Sequence, residues 1–281
     1  MYILTRRWRC LTAALVLAWA AAGCGNESAR APNPPRYAWP DSFAYRLEYA
    51  EATQSGAGVV SRLQETGVLR FAVRNDRYLV WSDSLSKVRM QAAGAVGEAL
   101  NPEDTLHYLV RLGRLGEFDD VVPDCDPTVG ACAAAFPSAL PMELRRIIPR
   151  LPVWWPPEGH VWADTLVFND LPRPGAARGA VLTEYRVTGD TTLAGRRYWI
   201  VGWHSMRQAW RPSGGTMLPD PITHEYGDVL VDQKRLMPVY AQWYGAVPAP
   251  ASLRSMGVTG TGYRGRAWLA GSGLDSLAVM R

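Results

Sequence analysis

The sequence predicts a mainly β fold, a curved antiparallel sheet of half-barrel type carrying one short helix. Three observations predict it. Many runs alternate large apolar and polar residues with a period of two, as in Phe43-Ala44-Tyr45-Arg46-Leu47-Glu48-Tyr49. Gly, Asn, Asp and Pro punctuate those runs with turn chemistry. One clear segment, Pro141 to Ile148, instead spaces its apolar residues for a helix.

The first 23 residues stand outside that body. Arg6, Arg7 and Arg9 form a basic region, and Leu11 to Ala22 is an apolar stretch of twelve residues ending in small side chains. A membrane-spanning helix needs roughly 20 apolar residues, so the stretch is too short to be one. Ala21-Ala22-Gly23-Cys24 resembles the lipobox of bacterial lipoproteins. That resemblance implies cleavage after residue 23 and a diacylglyceryl group on the Cys24 sulfur. Gly25 follows instead of Asp, which in double-membraned bacteria implies the outer membrane, facing the periplasm. Residues 24–40 read as a tether. Pro32, Pro34, Pro35 and Pro40 keep it extended. The fifteen residues from Asn26 to Pro40 reach at most about 50 Å.

Removing 23 residues from 281 leaves 258, enough for a proper core. The formal charge of +4 comes from 30 basic against 26 acidic residues; without Arg6, Arg7 and Arg9 it is 27 against 26, or +1. Such a balance gives no electrostatic case for nucleic acid. Cys10 leaves with the signal and Cys24 takes the lipid, so Cys125 and Cys132 remain. Pro127 and Gly130 lie between them, which suits a disulfide loop in an oxidising compartment. The competing reading is a metal site built with Asp124 and Asp126. No His is near in sequence, which disfavours it.

Residues 41–281 form the β domain. The runs after Phe43–Tyr49 are Val59 to Gln64, Gly67 to Val73, Tyr78 to Trp81, Ser86 to Gln91, His107 to Leu112 and Leu115 to Val122, with Asn75-Asp76 as a turn. In the helical segment, Pro141 suits the first turn and Pro149 stops the helix. The Pro-rich stretch from Leu151 to Pro157 marks a seam between two halves, near residues 150–160. The second half opens with Val161 to Phe168. A hairpin follows, from Val181 through Val187, a turn at Gly189-Asp190, and a return arm from Arg197 to Ser205. Gly227 to Val231 and Leu236 to Trp243 form another pair, in which Pro238 marks an edge or a bulge. Gly260 to Leu269 reads as a last strand.

On the return arm, Trp199, Val201 and Trp203 share one face, while Tyr198, Ile200, His204 and Met206 share the other. Both faces are largely apolar, so the strand lies between two layers or lines a cavity. Trp199, Ile200, Val201 and Trp203 are therefore the candidate ligand-lining residues. Trp154-Trp155 is a candidate sugar-stacking pair. Glu158 and Asp164 flank Trp162 but are paired only by sequence, which glycoside hydrolysis does not require. His107, His160, His204 and His224 are scattered and form no zinc-binding spacing. Ser205 lacks the glycine-flanked elbow of a hydrolase nucleophile. No catalytic motif, metal site or cofactor site is expected.

The segment from Val181 to Ser205, followed by Gly227-Asp-Val-Leu-Val-Asp-Gln-Lys-Arg-Leu-Met-Pro-Val-Tyr-Ala241, resembles the strand–turn–strand run of periplasmic half-barrel lipoproteins of the LolA/LolB-like and LppX-like class. The resemblance implies a curved sheet wrapped around a helical plug, an apolar cavity for acyl chains, and no catalytic residue. The expected function is non-enzymatic: a membrane-anchored lipoprotein binding a lipid or another lipophilic ligand. The alternatives are an envelope assembly module that binds a protein partner, and a carbohydrate-binding surface lipoprotein. Cys24→Ala is expected to yield an unlipidated, soluble product. Retention of that variant in the membrane fraction would rule out the anchor.

Overall fold

In the computed structural model, residues 36–91, 94–97, 107–124, 138–153, 158–171, 177–249 and 251–274 are described. The signal segment, Cys24, most of the tether, Cys125, Cys132, Trp154 and Trp155 lie outside them. The described strands are β1 (Ser42–Ser55), β2 (Gly58–Arg74), β3 (Arg77–Gln91), β4 (Gly94–Gly97), β5 (His107–Leu112), β6 (Phe118–Pro123), β7 (Val161–Asn169), β8 (Arg178–Leu193), β9 (Arg196–Ser213), β10 (Thr216–Pro219), β11 (Thr223–Asp232), β12 (Met237–Pro248) and β13 (Val258–Leu269). Helix α1 spans Ala139–Ile147, and α2 spans Ala251–Arg254.

All thirteen strands belong to one antiparallel sheet of order β6-β5-β3-β2-β1-β13-β12-β11-β9-β8-β7, with β10 beside β9 and β4 beside β3. Strands from both sides of residues 150–160 share it, because β13 pairs with β1. The mainly β, open and curved architecture is the one the sequence predicts.

Several local expectations are corrected. Val59–Gln64 and Gly67–Val73 are one strand, β2, and Tyr78–Trp81 and Ser86–Gln91 are one strand, β3. Opposite Thr66 and Gly67 the register passes from Ser86 to Ser84, so Leu85 is an extra, bulged residue that breaks the alternation of β3, while β2 continues unbroken through its polar Gln64-Glu65-Thr66 stretch. Gly189-Asp190 is not the hairpin turn. It lies inside β8, beside a bulge after Val187, and the chain reverses at Ala194-Gly195, whose φ values are 48° and 74°. Asn75-Asp76 does turn the chain, with φ of 51° and 60°, the left-handed pair that matches strand twist. Pro238 sits at a bulge opposite Val231, in a strand flanked on both sides. There the missing N–H falls where the ladder is already interrupted.

The inner face is ordered in rows, because residues two apart on each strand share a face. One row is Val187-Val201-Val229-Ala241-Ala267, across β8, β9, β11, β12 and β13. It is fully dry, with each side chain at most 5% exposed. The next row is Trp162-Tyr185-Trp203-Gly227-Trp243-Gly265-Tyr49. Glycine is required here: a β-carbon on Gly227 would lie 2.6 Å from the Trp203 ring, and one on Gly265 would meet the Trp243 ring. Each indole thus lies flat across the backbone of the adjoining strand. The third row is polar: Asp164-Thr183-Ser205-Glu225-Gly245-Tyr263-Glu51.

Helix α1 buries Leu140, Pro141, Leu144 and Ile147 against this face. Its start is fixed by Ser138, whose hydroxyl donates to Asp170 Oδ2 at 2.5 Å. It ends at Ile148, which is extended before Pro149, a residue that disfavours helix in its predecessor. The helix contacts both β12 in the middle of the sheet and β6 at its edge. Arg145 carries that reach to the other edge. Its guanidinium pairs with Asp164 of β7 at 2.7 Å, donates to the carbonyl of Gly116 just before β6 at 2.8 Å, and lies 4.6 Å over the Phe118 ring.

The segment after α1 continues the seam. Leu151 N–H donates to Leu115 O and Trp162 Nε1–H to Arg150 O, both at 2.7 Å. Tyr37 Oη donates to Pro149 O at 2.9 Å. Only a curved sheet lets one helix and its following turn touch both edge strands.

Arg145→Ala is expected to lower stability by roughly 3 kcal/mol, because it strands the largely buried Asp164 carboxylate and the Gly116 carbonyl. Urea unfolding measures it. A loss below about 1 kcal/mol would show that the two edges are held without this arginine.

Candidate functional site

Between α1 and the inner face runs a groove of about 680 Å³. The residues facing it come from the aromatic and polar rows, from α1 and from β2, β3 and β5. Its apolar wall includes Leu47, Leu69, Val80, Val181, Trp203 and Trp243. Its polar wall includes Ser205, Glu225, Tyr263 and Glu51 of the third row and the arginines of α1. The hollow is therefore mixed, with a greasy floor and a charged upper wall.

Arg146 organises the upper wall. Its guanidinium grips Glu225 through Nη2 at 2.5 Å and Nε at 3.2 Å, and reaches Glu143 at 2.6 Å. It also lies 6.0 Å from the Trp243 ring and 5.8 Å from the Tyr263 ring. Tyr263 Oη donates to the same Glu225 carboxylate. Burial pushes the Glu225 carboxyl up. The Arg146 charge, its hydrogen bond and the Tyr263 hydroxyl outweigh that and hold it below the usual carboxylate value. The Tyr263 phenol moves the other way: burial and the Glu225 charge raise it. Thr183 and Ser205 bond hydroxyl to hydroxyl at 2.7 Å, which satisfies both buried groups.

Of the four side chains proposed as lining, Trp203 faces the groove. Val201 is packed in the dry core, and Trp199 is half-buried against that core. Ile200 pairs across the sheet with Leu230 and is half-buried. The opposite face of β9 carries a stack of rings on the sheet exterior. His204 lies 4.5 Å from Tyr226, and Tyr226 lies 5.5 Å from Tyr244, all nearly parallel. Tyr226 and Tyr244 are 40% and 58% exposed. These rings cover one another's faces, so β9 is apolar on both sides without a second layer. His224 Nδ1 lies 3.0 Å from His204 Nε2.

Asp164 is engaged by Arg145, and Glu158 is exposed in the turn before β7. His107 packs edge-on against Trp81. No group of three metal-binding side chains occurs among the described residues.

Sequence reasoning missed Glu225, Tyr263 and Arg146 because they lie on three elements far apart in the chain. One available signal was Arg145-Arg146 set between the apolar Leu144 and Ile147 in the last turn of the helix, since buried arginines require buried acids.

No protein-family model and no curated protein matches the chain. Among solved structures it is similar to the hypothetical lipoprotein YmcC of Escherichia coli K12, at 12% identity and a TM-score of 0.26, over 90% of this chain and 95% of that one. It is also similar to a candidate exported protein with a YmcC-like fold from Bacteroides fragilis NCTC 9343, at 11% identity and a TM-score of 0.21, over 84% of this chain and 97% of that one.

The depressed Glu225 carboxyl sets a pH dependence. A carboxyl lowered on folding stabilises the protein fully above its unfolded value near 4.5, and that contribution is lost as pH falls through the folded value. Thermal unfolding from about pH 6 down to about pH 3 is expected to show this acid limb, with a smaller slope in Glu225→Gln. An unchanged slope in that variant would remove Glu225 from the account.

Proposed function

We propose that this protein is a lipid-anchored envelope lipoprotein of the outer membrane, facing the periplasm, that holds a lipophilic ligand in the groove without catalysing a reaction. The observation that carries the reading is the groove itself. About 680 Å³ lies between α1 and a floor of Trp203, Trp243 and aliphatic side chains, within the usual range for small-molecule sites. The charged groups facing it are largely tied to structural partners: Glu225 to Arg146 and Tyr263, and Glu48 to Arg266 at 2.5 Å. That arrangement favours binding over acid–base chemistry.

The two ends of the sheet differ, and this supports the same reading. At one end the turns are charged, as in Arg74-Asn75-Asp76-Arg77 and Asp232-Gln233-Lys234-Arg235. Tyr37 and Ala38 join the body there, through hydrogen bonds to Arg114 O and Leu236 O. At the other end the exposed residues include Val59, Val60, Leu218, Ile222, Leu253 and Met256, each at least 40% exposed. The groove-lining Thr223, Val247 and Thr261 lie toward this apolar end. An anchor joined at the charged end leaves the apolar mouth free to meet lipid.

Solvent extraction of the purified full-length protein, followed by mass spectrometry, is expected to release a near-stoichiometric non-covalent lipid. Thr223→Trp, which fills the mouth, is expected to release much less while unfolding at the same temperature. Absence of lipid from the wild type, or equal lipid from both, would exclude the groove as the ligand site.

A further inference from the structure

Three guanidinium groups line the groove, those of Arg145, Arg146 and Arg207. Arg145 is matched by Asp164, and Arg146 by Glu225 and Glu143. Arg207 makes no ion pair: among the described residues no carboxylate oxygen lies within 4.0 Å of it, and the Asp220 and Glu225 charges act on it only from further away. The acids nearest in sequence and register are already committed, Asp220 to Arg211 at 2.8 Å and Glu225 to Arg146. Arg207 Nε is buried with no hydrogen-bond partner. Its guanidinium carbon lies 5.4 Å from the Phe168 ring centre, and its cross-strand neighbours are Val181 and Thr223. On β9 it stands two residues beyond Ser205 and four beyond Trp203, on the same inner face.

A guanidinium half withdrawn from water, its Nε buried, without an anion is unfavourable, and its planar fork matches a carboxylate or a phosphate with two parallel hydrogen bonds. We infer that Arg207 receives the anionic head group of an amphiphile whose tail lies along Trp203 and Trp243 toward α1. The inference rests on the groove reading above and adds the head-group charge to it. Two features fix the orientation. Tail-compatible surface begins next to Arg207 at Val181 and Trp203 and continues to Trp243, Leu47 and Leu69. The opposite side of the groove carries Glu51 and Glu65, which repel an anion. Their carboxylates bond to Tyr49 and Ser84, so neither is neutralised by those contacts. Burial, with Arg211 nearby, already holds the Arg207 guanidinium below the ordinary arginine value, and it remains charged at neutral pH.

Titration of the full-length protein with dodecanoate, dodecyl phosphate and dodecanol, read by tryptophan fluorescence, tests this. At least one of the two anions is expected to bind roughly tenfold or more tightly than dodecanol, and the tighter of the two identifies the head-group class. Arg207→Gln is expected to abolish that preference and leave dodecanol binding unchanged, which also shows that the variant is folded. Arg207→Lys is expected to keep part of the preference. Equal binding of all three probes to the wild type, or a preference that survives in Arg207→Gln, overturns the head-group site while the groove reading stands. Failure of every probe to bind overturns both.

Discussion

A buried arginine requires an anion, and α1 carries two of them in succession. Consecutive helical residues point about 100° apart, so Arg145 and Arg146 cannot be satisfied from one direction. Arg145 finds Asp164 on an edge strand and a backbone carbonyl beside the other edge. Arg146 finds Glu225 on β11, deep within the sheet. A flat sheet could not bring these three places to one helix. The curvature of the sheet, the position of the helix within it and the existence of a groove therefore follow from one requirement, that each guanidinium meet its partner.

The groove follows from what the helix leaves uncovered. Its apolar side chains settle toward the dry row of valines and alanines, and the aromatic and polar rows beyond remain as walls. Trp203 and Trp243 could have filled that space by standing on the sheet. The glycines beside them let the rings lie flat instead, at some loss, since both indole N–H groups are buried without an acceptor. Gly245 does the same beneath Tyr263, whose hydroxyl then reaches Glu225. Glycine at these three positions does not serve turning. It sets how far aromatic side chains rise from the sheet, and so how much room is left under the helix.

Much of the fold was legible because strand periodicity survives wherever one face is buried. The runs in β5, β7 and β13 stand close to where they were expected, β1 begins where expected but runs on to Ser55, and Pro149 marked the end of α1. The misplaced strand ends and turn share a cause, local irregularity read as punctuation. The bulge at Leu85 interrupted alternation without ending β3, and Gly189-Asp190 has turn chemistry but lies beside a bulge in β8. The short β4, β10 and α2 were missed because four residues carry no period. The groove was harder to see. Its tryptophans were visible as residues, but their placement depends on glycines on neighbouring strands, and Trp243 was not singled out although it shares a row with Trp203.

The character of the hollow illustrates the same limit. Counting residues on β9 gave a wholly greasy lining, since Trp199, Ile200, Val201 and Trp203 are all apolar. The sheet instead sorts chemistry across strands. Along β9 the inner face passes from Val201 to Trp203, then Ser205, then Arg207, from dry to aromatic to hydroxyl to cationic within seven residues. Strands β8, β9, β11, β12 and β13 each contribute to that gradient at their own register, and the glutamates of β1 and β2 give it a second, acidic side. A molecule that is uniform along its length cannot match such a gradient. One with a charged end and an apolar end can, and in only one direction.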